Sequence, residues 1–451
     1  MNEQTDLERL VADQLGNAGM GMPPESAIED TIARAGGTRR LPEWLALIKE
    51  PPMRTNNHLA VGSPTVRVAA IMVATLLLAV MLAAAGAGAQ RLLAADGPIV
   101  VAQDGSGTYE TITEAVAAAE DGDKVVVRPG TYVEALIIDK DITITGDGPV
   151  EEIVITAPDD GPSYETGFSW NRNEEYALAL SGSDAGLADL TFRGENARLI
   201  VDGGAPALER LTFEDVGNPY EGGPSVQALV IKGESTATVR NSSFIAGGGI
   251  NIFEQSSPLI ERNEFDTGPG IYGDFGDDTV IVDNHLFGPG QQGIDMGSPA
   301  AATIRGNTVS DKTDGMWISG AAVVEDNVVQ DSGSNGIAVA SAASTLGGPT
   351  ISGNRLVDNR VAIAWPAGGG LIEQNAVSGG RAGIFIGGGS PIVRDNTVEG
   401  VEGRGIVVVR GASPILSGNT ACGNGENLVV IDGATPEDDG TNQICEDDAT
   451  E

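Results

Sequence analysis

The sequence predicts an all-β fold: a right-handed parallel β-helix of about a dozen coils, three short strands per coil, with an N-terminal capping helix and one transmembrane helix ahead of it. Three observations predict it. An Asn recurs roughly every 21 residues through the second half of the chain. A stretch of 22 residues, 68–89, carries no charge. Glycine is abundant, 63 of 451 residues, while aromatics are only 4%, which suits tight turns around a narrow interior.

Taken in chain order, the leader 1–67 holds 7 basic and 9 acidic side chains and contains short runs with helical apolar spacing (Leu7, Leu10, Val11, Leu15; Ile28, Ile32; Trp44 within 41–48), punctuated by Pro23-Pro24 and Pro51-Pro52. It reads as a cytoplasmic, partly helical segment with nothing catalytic in it. Residues 68–89 would run ~33 Å as a helix, enough for a ~30 Å hydrocarbon layer. Arg54 and Arg67 precede the span, and residues 90–451 carry 19 basic against 55 acidic side chains. That basic flank next to the span places the N-terminus in the cytoplasm and the acidic part outside, as a single-pass membrane protein. Ala87-Gly88-Ala89 has the form of a signal-peptidase site, but a 67-residue leader is far longer than a signal peptide has.

The outer part opens with a cap over about 98–123. Asp104-Gly105-Ser106-Gly107 is a turn, Thr111-Ile112-Thr113-Glu114 has capping-box spacing, and Ala115–Ala119 continues a short helix that Asp121-Gly122-Asp123 ends. Such a helix would cover the open end of a stacked sheet, which otherwise invites pairing with other chains. The repeat follows. Asn241, Asn263, Asn284, Asn307, Asn327, Asn354, Asn375, Asn396 and Asn419 are spaced by 22, 21, 23, 20, 27, 21, 21 and 23 residues. Ahead of each from Asn263 onward lies a strand such as Gly293-Ile294-Asp295-Met296 or Gly383-Ile384-Phe385-Ile386, then a second extended stretch; a third follows the Asn. A coil of this size cannot bury its own inner face, and stacking gives every strand a partner ~4.8 Å above and below. The Asn column then reads as structural, each side chain bonding the one a coil away at a sharp bend. Leu190 and Leu211 occupy the equivalent place upstream.

The stretch 101–109 (Val-Ala-Gln-Asp-Gly-Ser-Gly-Thr-Tyr), with Ile112, Ala115-Val116, Ala118-Ala119, Gly122-Asp123 and 126–132 (Val-Val-Arg-Pro-Gly-Thr-Tyr), resembles the opening module of pectin-lyase-like right-handed β-helix proteins; pectin methylesterases open in a similar way. The later coils resemble generic β-helix repeats of periplasmic and surface proteins. Together the resemblance covers about 98–445. It implies the fold strongly and an activity weakly, since this fold carries lyases, hydrolases, esterases, epimerases and non-enzymes.

Cys422 and Cys445 are 23 residues apart, close to one coil. One coil apart is a single strand spacing, inside the Cα window for a disulfide, so a bridge pinning the last coil is expected outside the cell; the alternative is two buried free thiols.

In Gly-Ile-x-Ile both Ile face the core and x faces out. Down successive coils x is Val230, Asn251, Tyr272, Asp295, Trp317, Ala338, Ala364, Phe385 and Val407, and two residues further on stand Lys232, Phe253 and Asp274. Asn251, Phe253, Tyr272, Asp274, Asp295, Trp317 and Phe385 are therefore the candidate binding residues. Aromatic faces beside carboxylates on a ridged sheet suit a polysaccharide, and relatives of this fold usually lay substrates along that sheet. An ordinary exposed sheet also favours Tyr and Trp, and that reading stays open. Long stretches at 159–176 (Tyr164, Phe168, Trp170) and 215–225 (Tyr220) could wall the groove. For catalysis, Asp274, Asp295 and Lys232 are candidates, and Asp274, Asp277 and Asp278 could hold Ca2+. The resemblance to lyases would require a Lys or Arg base, and only Lys232 is near; the Gly-His-Gly and Arg-x-Lys pieces of polygalacturonases are missing. His285 reads as a surface side chain. No zinc spacing, phosphate loop or hydrolase elbow occurs. A net charge of −38 argues against nucleic acid as partner. The expected function is polysaccharide binding on a membrane-anchored β-helix, with a polysaccharide-active enzyme (lyase, hydrolase or epimerase) and a structural or adhesion stalk as the competing classes.

Overall fold

The coils from Ile99 to Ile444 build three long parallel sheets. The computed structural model describes residues 97–446 apart from 166–172, 218–226, 267, 269 and 341–347. The first sheet has 15 strands, from Ile99–Val101 to Glu437–Asp438; the second has 14, from Gly130–Val133 to Gln443–Ile444; the third has 13, from Leu136–Ile138 to Glu426–Val430. Strand neighbours within each sheet are one coil apart in sequence, the order of a parallel β-solenoid of about 14 turns. That is slightly more than the expected dozen coils. The leader and the apolar run 68–89 lie outside the described residues; among the described residues no helix is long and apolar enough to cross a membrane.

The interior is a set of columns. Ile250, Ile271, Ile294, Met316, Ile337, Ile363, Ile384 and Ile406 stack in the third sheet with no exposure. In the second sheet Phe192, Phe213, Phe244 and Phe265 lie in register and stack face to face, centroids 5.2, 4.7 and 4.5 Å apart. Leu286, Val309 and Val329 continue the column with smaller side chains.

At the bend between the first and second sheets the Asn column is continuous. Asn263 Nδ2 donates to Asn284 Oδ1 at 3.0 Å, and the same pairing repeats through Asn307, Asn327, Asn354, Asn375, Asn396 and Asn419. It runs one coil further, to Asn442. Asn241 is a correction. Arg240 pairs with Glu261, so Asn241 stands opposite Arg262 and Ser242 opposite Asn263. Ser242 N donates to Asn263 Oδ1 at 3.0 Å, and Ser242 Oγ accepts from Leu211 N at 3.1 Å. Asn241 instead occupies the left-handed position that precedes the ladder, φ 51°, shared with Asp189, Arg210, Arg262, Asp283, Asp326, Gln374 and Asp395. Where that place is Gly306, the backbone has the same φ, 67°, at no steric cost. Asn tolerates left-handed backbone too, which is why its residue type does not reveal the offset.

The helix Ile112–Ala118 covers the N-terminal end, with Ile112 and Ala115 buried in the main core. Thr111 Oγ1 accepts from Glu114 N at 3.2 Å, as the capping spacing predicts. The remaining cap comes from elsewhere in the chain. Glu134 accepts from the N–H groups of Ile112 (2.9 Å) and Thr113 (2.7 Å), and Lys140 Nζ donates to the carbonyls of Val116 and Ala119 at 2.8 Å. A carboxylate at the first turn and an ammonium at the last complement the helix dipole. At the other end Cys422 and Cys445 form a disulfide, Cα atoms 5.0 Å apart, one coil apart as expected.

Candidate functional site

The third sheet's outer row is set by strand pairing. Val230, Asn251, Tyr272, Asp295, Trp317, Ala338, Ala364, Phe385 and Val407 stand in register, one per coil. Asn251, Tyr272, Asp295 and Trp317 are thus successive rungs, ~4.8 Å apart. Trp317 is 37% exposed, Tyr272 and Asp295 are half-buried, and Asn251 is buried. Phe385 stands three coils beyond Trp317 and packs against Val407, Val409 and Val429, apart from the others. Phe253 packs at the edge of a second apolar patch, formed by Tyr176, Ala179, Ile200 and Val230.

Lys232 belongs to that patch. It is buried, pairs with Asp202 at 3.3 Å and lies 5.8 Å from the centre of the Tyr164 ring. Tyr164 donates to Asp202 Oδ2 at 3.0 Å and packs edge-on to Tyr176. Tyr164 comes from Ser163–Glu165, which pairs antiparallel with Asn173–Glu175. This hairpin lies over the N-terminal end of the row, whose residues Ala179, Ile200 and Val230 are buried. Phe168, Trp170 and Tyr220 lie outside the described residues.

The acidic candidates separate. Asp274, Asp277 and Asp278 are exposed in the turn after Ile271–Gly273, and Asp277 Oδ1 accepts from Ala301 N at 3.0 Å. Among the described residues no three His, Cys, Asp or Glu side chains converge as a metal site, so the expected Ca2+ set does not assemble there. His285 lies on the second sheet, against Phe287, away from this row.

Ahead of the Gly-Ile-x-Ile pattern the same strands carry a further polar column. Gln292, Asp314 and Asn335 stand in register immediately before Gly293, Gly315 and Gly336. Asn335 donates to Asp314 Oδ1 from its side-chain amide (2.7 Å) and its backbone N–H (3.1 Å), holding Asp314 as an acceptor. Burial pushes the Asp295 carboxyl above its ordinary value, and the charge of Asp314 adds to the rise. The signal in the sequence was the polar residue recurring directly before the strand-opening Gly.

The same strands continue into a cleft of about 320 Å³ beside Gly290, Asp311, Lys312 and Asp331. Lys312 is buried, its amine donating to Phe287 O (3.1 Å) and Gly268 O (3.3 Å). Burial pulls it down to about 8, against Asp311 and Asp266, which pull it up. The unfolded chain keeps this proton to about pH 10.5. Folding is therefore penalised fully below pH 8, and the penalty disappears as pH rises through 10.5. Between those limits wild-type stability is expected to gain about 2–3 kcal/mol on that of Lys312→Met, read by urea unfolding at both ends. A difference between the two proteins that stays flat with pH would refute this.

Comparison with known proteins bears on this geometry. Residues 98–195 match the family model described as pectinesterase. A probable pectinesterase/pectinesterase inhibitor of Arabidopsis thaliana is 38% identical over 84 residues, covering 15% of this chain; the chain spans only 15% of that relative's length. Among solved structures, a periplasmic alginate epimerase is 11% identical with a TM-score of 0.45, covering 71% of this chain and 76% of its own. The catalytic domain of an α-1,3-glucanase is 13% identical with a TM-score of 0.47, covering 76% and 66%. Residues 199–356 and 344–445 match the family model described as right handed beta helix region, and together span more than half of the chain. With its three parallel sheets wound coil on coil, the chain belongs to the right-handed β-helix family.

Proposed function

We propose that the outer face of the third sheet, from Asn251 to Trp317, binds a polysaccharide running along the solenoid axis. The observation that carries this reading is the in-register row in which Tyr272 and Trp317 flank the Asp295 carboxyl on adjacent rungs. Aromatic faces stack on the C–H faces of sugar rings, and carboxylates accept from hydroxyls. The match to the pectinesterase model over 98–195 supports a polysaccharide partner. Trp317→Ala and Tyr272→Ala are each expected to weaken binding on a glycan array about tenfold, as loss of one stacking contact does. Unchanged binding in both would leave the stalk as the better account.

A second reading has its own support. Asp295 is a half-buried carboxyl on the row whose pKa is raised by burial first and the charge of Asp314 second, the kind of shift that suits acid/base work on a glycosidic or uronate centre. If the protein turns its polysaccharide over, Asp295→Asn and Asp314→Asn should abolish product release while Trp317→Ala mainly weakens binding. The proposal also places the solenoid outside a membrane, held by residues 68–89; loss of the β-helix on protease treatment of intact cells would check this.

A further inference from the structure

The outward row of the third sheet does not begin at Asn251. Strand pairing extends it upstream through Val230, Ile200 and Ala179, one per coil. An outward side chain on a bare sheet face keeps part of its surface in water. Ala179, Ile200 and Val230 keep none, and Asn251 keeps 1%. From Tyr272 onward the row opens: Tyr272 and Asp295 are half-buried, and Trp317 is 37% exposed. The next two rungs carry only the methyl groups of Ala338 and Ala364, so no side chain of the row itself stands above the sheet there.

The cover over the upstream rungs comes from the insertion ahead of Leu178–Ser181. Its strands Ser163–Glu165 and Asn173–Glu175 pair antiparallel and bring Tyr164 and Tyr176 onto Ala179, Ile200 and Val230, with Phe253 at the edge. The two tyrosine rings meet edge-on, centres 5.8 Å apart. Tyr164 Oη donates to Asp202 Oδ2 at 3.0 Å, and Asp202 pairs with Lys232 on the neighbouring strand at 3.3 Å. Lys232 Nζ lies 5.8 Å from the centre of the Tyr164 ring. A hydrogen bond to an ionised acceptor is about twice as strong as a neutral one, so the base of the hairpin is fastened to the sheet it covers.

A polymer laid along the solenoid axis crosses one rung every ~4.8 Å. Travelling toward the N-terminal coils, it passes Trp317, Asp295 and Tyr272 and then meets Tyr164, Tyr176 and Phe253, which lie over Val230. The interior of a long chain has to leave the sheet at that point and gives up its contacts. A terminal sugar stops there and gives up nothing.

We infer, resting on the polysaccharide reading above, that this face takes a polysaccharide by its chain end. The terminal ring stacks on Tyr272 against the wall of Tyr164, Tyr176 and Phe253, and the chain runs over Asp295 and Trp317 toward the C-terminal coils. Tyr164 is the specificity-determining residue, because it ties the hairpin to Asp202. No bond is made or broken.

The test is isothermal titration of the full chain with polygalacturonate, xylan and β-1,3-glucan, each as a long polymer of narrow length distribution and as its hexamer. Whichever of these binds should saturate at one protein per chain in both forms. Affinity per mole of sugar should be about tenfold or more weaker for the polymer, which has fewer ends in the same mass. Borohydride reduction opens the ring at the reducing terminus and assigns the end: lost hexamer binding places the reducing end at the wall, and retained binding places the other end there. Tyr164→Ala should raise saturation on the long polymer to several proteins per chain, and Tyr164→Phe, which loses only the bond to Asp202, should raise it less. Several wild-type proteins on one long chain overturn the inference, and so does a folded Tyr164→Ala that stays at one per chain. The wild-type ratio decides the matter should Tyr164→Ala fail to fold. If several wild-type proteins bind and Trp317→Ala abolishes that binding, the polysaccharide reading stands and only end recognition falls. If no saccharide binds, both fall.

Discussion

Phe244→Ala should lower the stability of the solenoid by about 3–5 kcal/mol, the range for truncating a buried aromatic. Phe244 is one of the two inner members of a four-ring column, with Phe213 at 4.7 Å and Phe265 at 4.5 Å, both nearly parallel to it. The truncation therefore leaves a void between two rings. Those rings cannot close on it, because their backbones are fixed by strand pairing one coil either side. Stacking adds to the loss beyond the buried area. Phe244→Leu should recover much of it, since Leu286 fills the same column two coils on. The check is denaturant unfolding with amide exchange to locate the loss, because a repeat array need not unfold in one step. A cost of under about 1 kcal/mol for Phe244→Ala would mean the column repacks, contrary to this account.

Asn354→Ala should cost a comparable amount, about 3–5 kcal/mol, through polar groups rather than a cavity. Asn354 is fully buried. Its Nδ2 donates to Val324 O at 2.9 Å, Ser352 O at 3.0 Å and Asn375 Oδ1 at 3.0 Å. Its Oδ1 accepts from the Asn327 backbone N–H and side-chain amide, both at 3.0 Å. Alanine strands a buried backbone donor and a buried carbonyl that water cannot reach, each costing about 1–3 kcal/mol. Asn241→Ala is the matched control. Asn241 is exposed and outside the ladder, so only its left-handed backbone matters, at about 1 kcal/mol. Equal melting losses for the two variants would contradict the one-residue offset found at that coil.

Much of this architecture was legible because a parallel solenoid makes sequence period and spatial neighbourhood the same thing. An Asn 21 residues from Asn263 had to lie one strand spacing away, and Asn284 does. The same rule made the Cys422–Cys445 bridge and the row Asn251–Tyr272–Asp295–Trp317 readable. The alternation within Gly-Ile-x-Ile assigned inside and outside, because strand side chains have a period of two. The Phe column was equally available: each Phe falls two places after the ladder position, as Phe192 does after Leu190 and Phe265 after Asn263.

What only the tertiary structure decided lies where coils differ in length or where one element meets another outside the repeat. Coil length moves the ladder from Asn241 to Ser242, since the register is fixed by the strand Thr238–Arg240 and not by residue type. The helix cap borrows Glu134 and Lys140 from the first coils, and no spacing rule ties these to Thr111. Lys232 reads as an available cation, but it is taken up by Asp202, which reaches it across the stack. Asp314 enters the same sheet as Asp295 because the strands Gly290–Met296 and Lys312–Ile318 extend upstream of their glycines. The sequence by itself determined the winding and the face of each side chain, since both follow from local backbone period. The charge state and company of each group on that face were decided by folding, because burial and Coulomb interaction depend on distances that a linear chain does not contain.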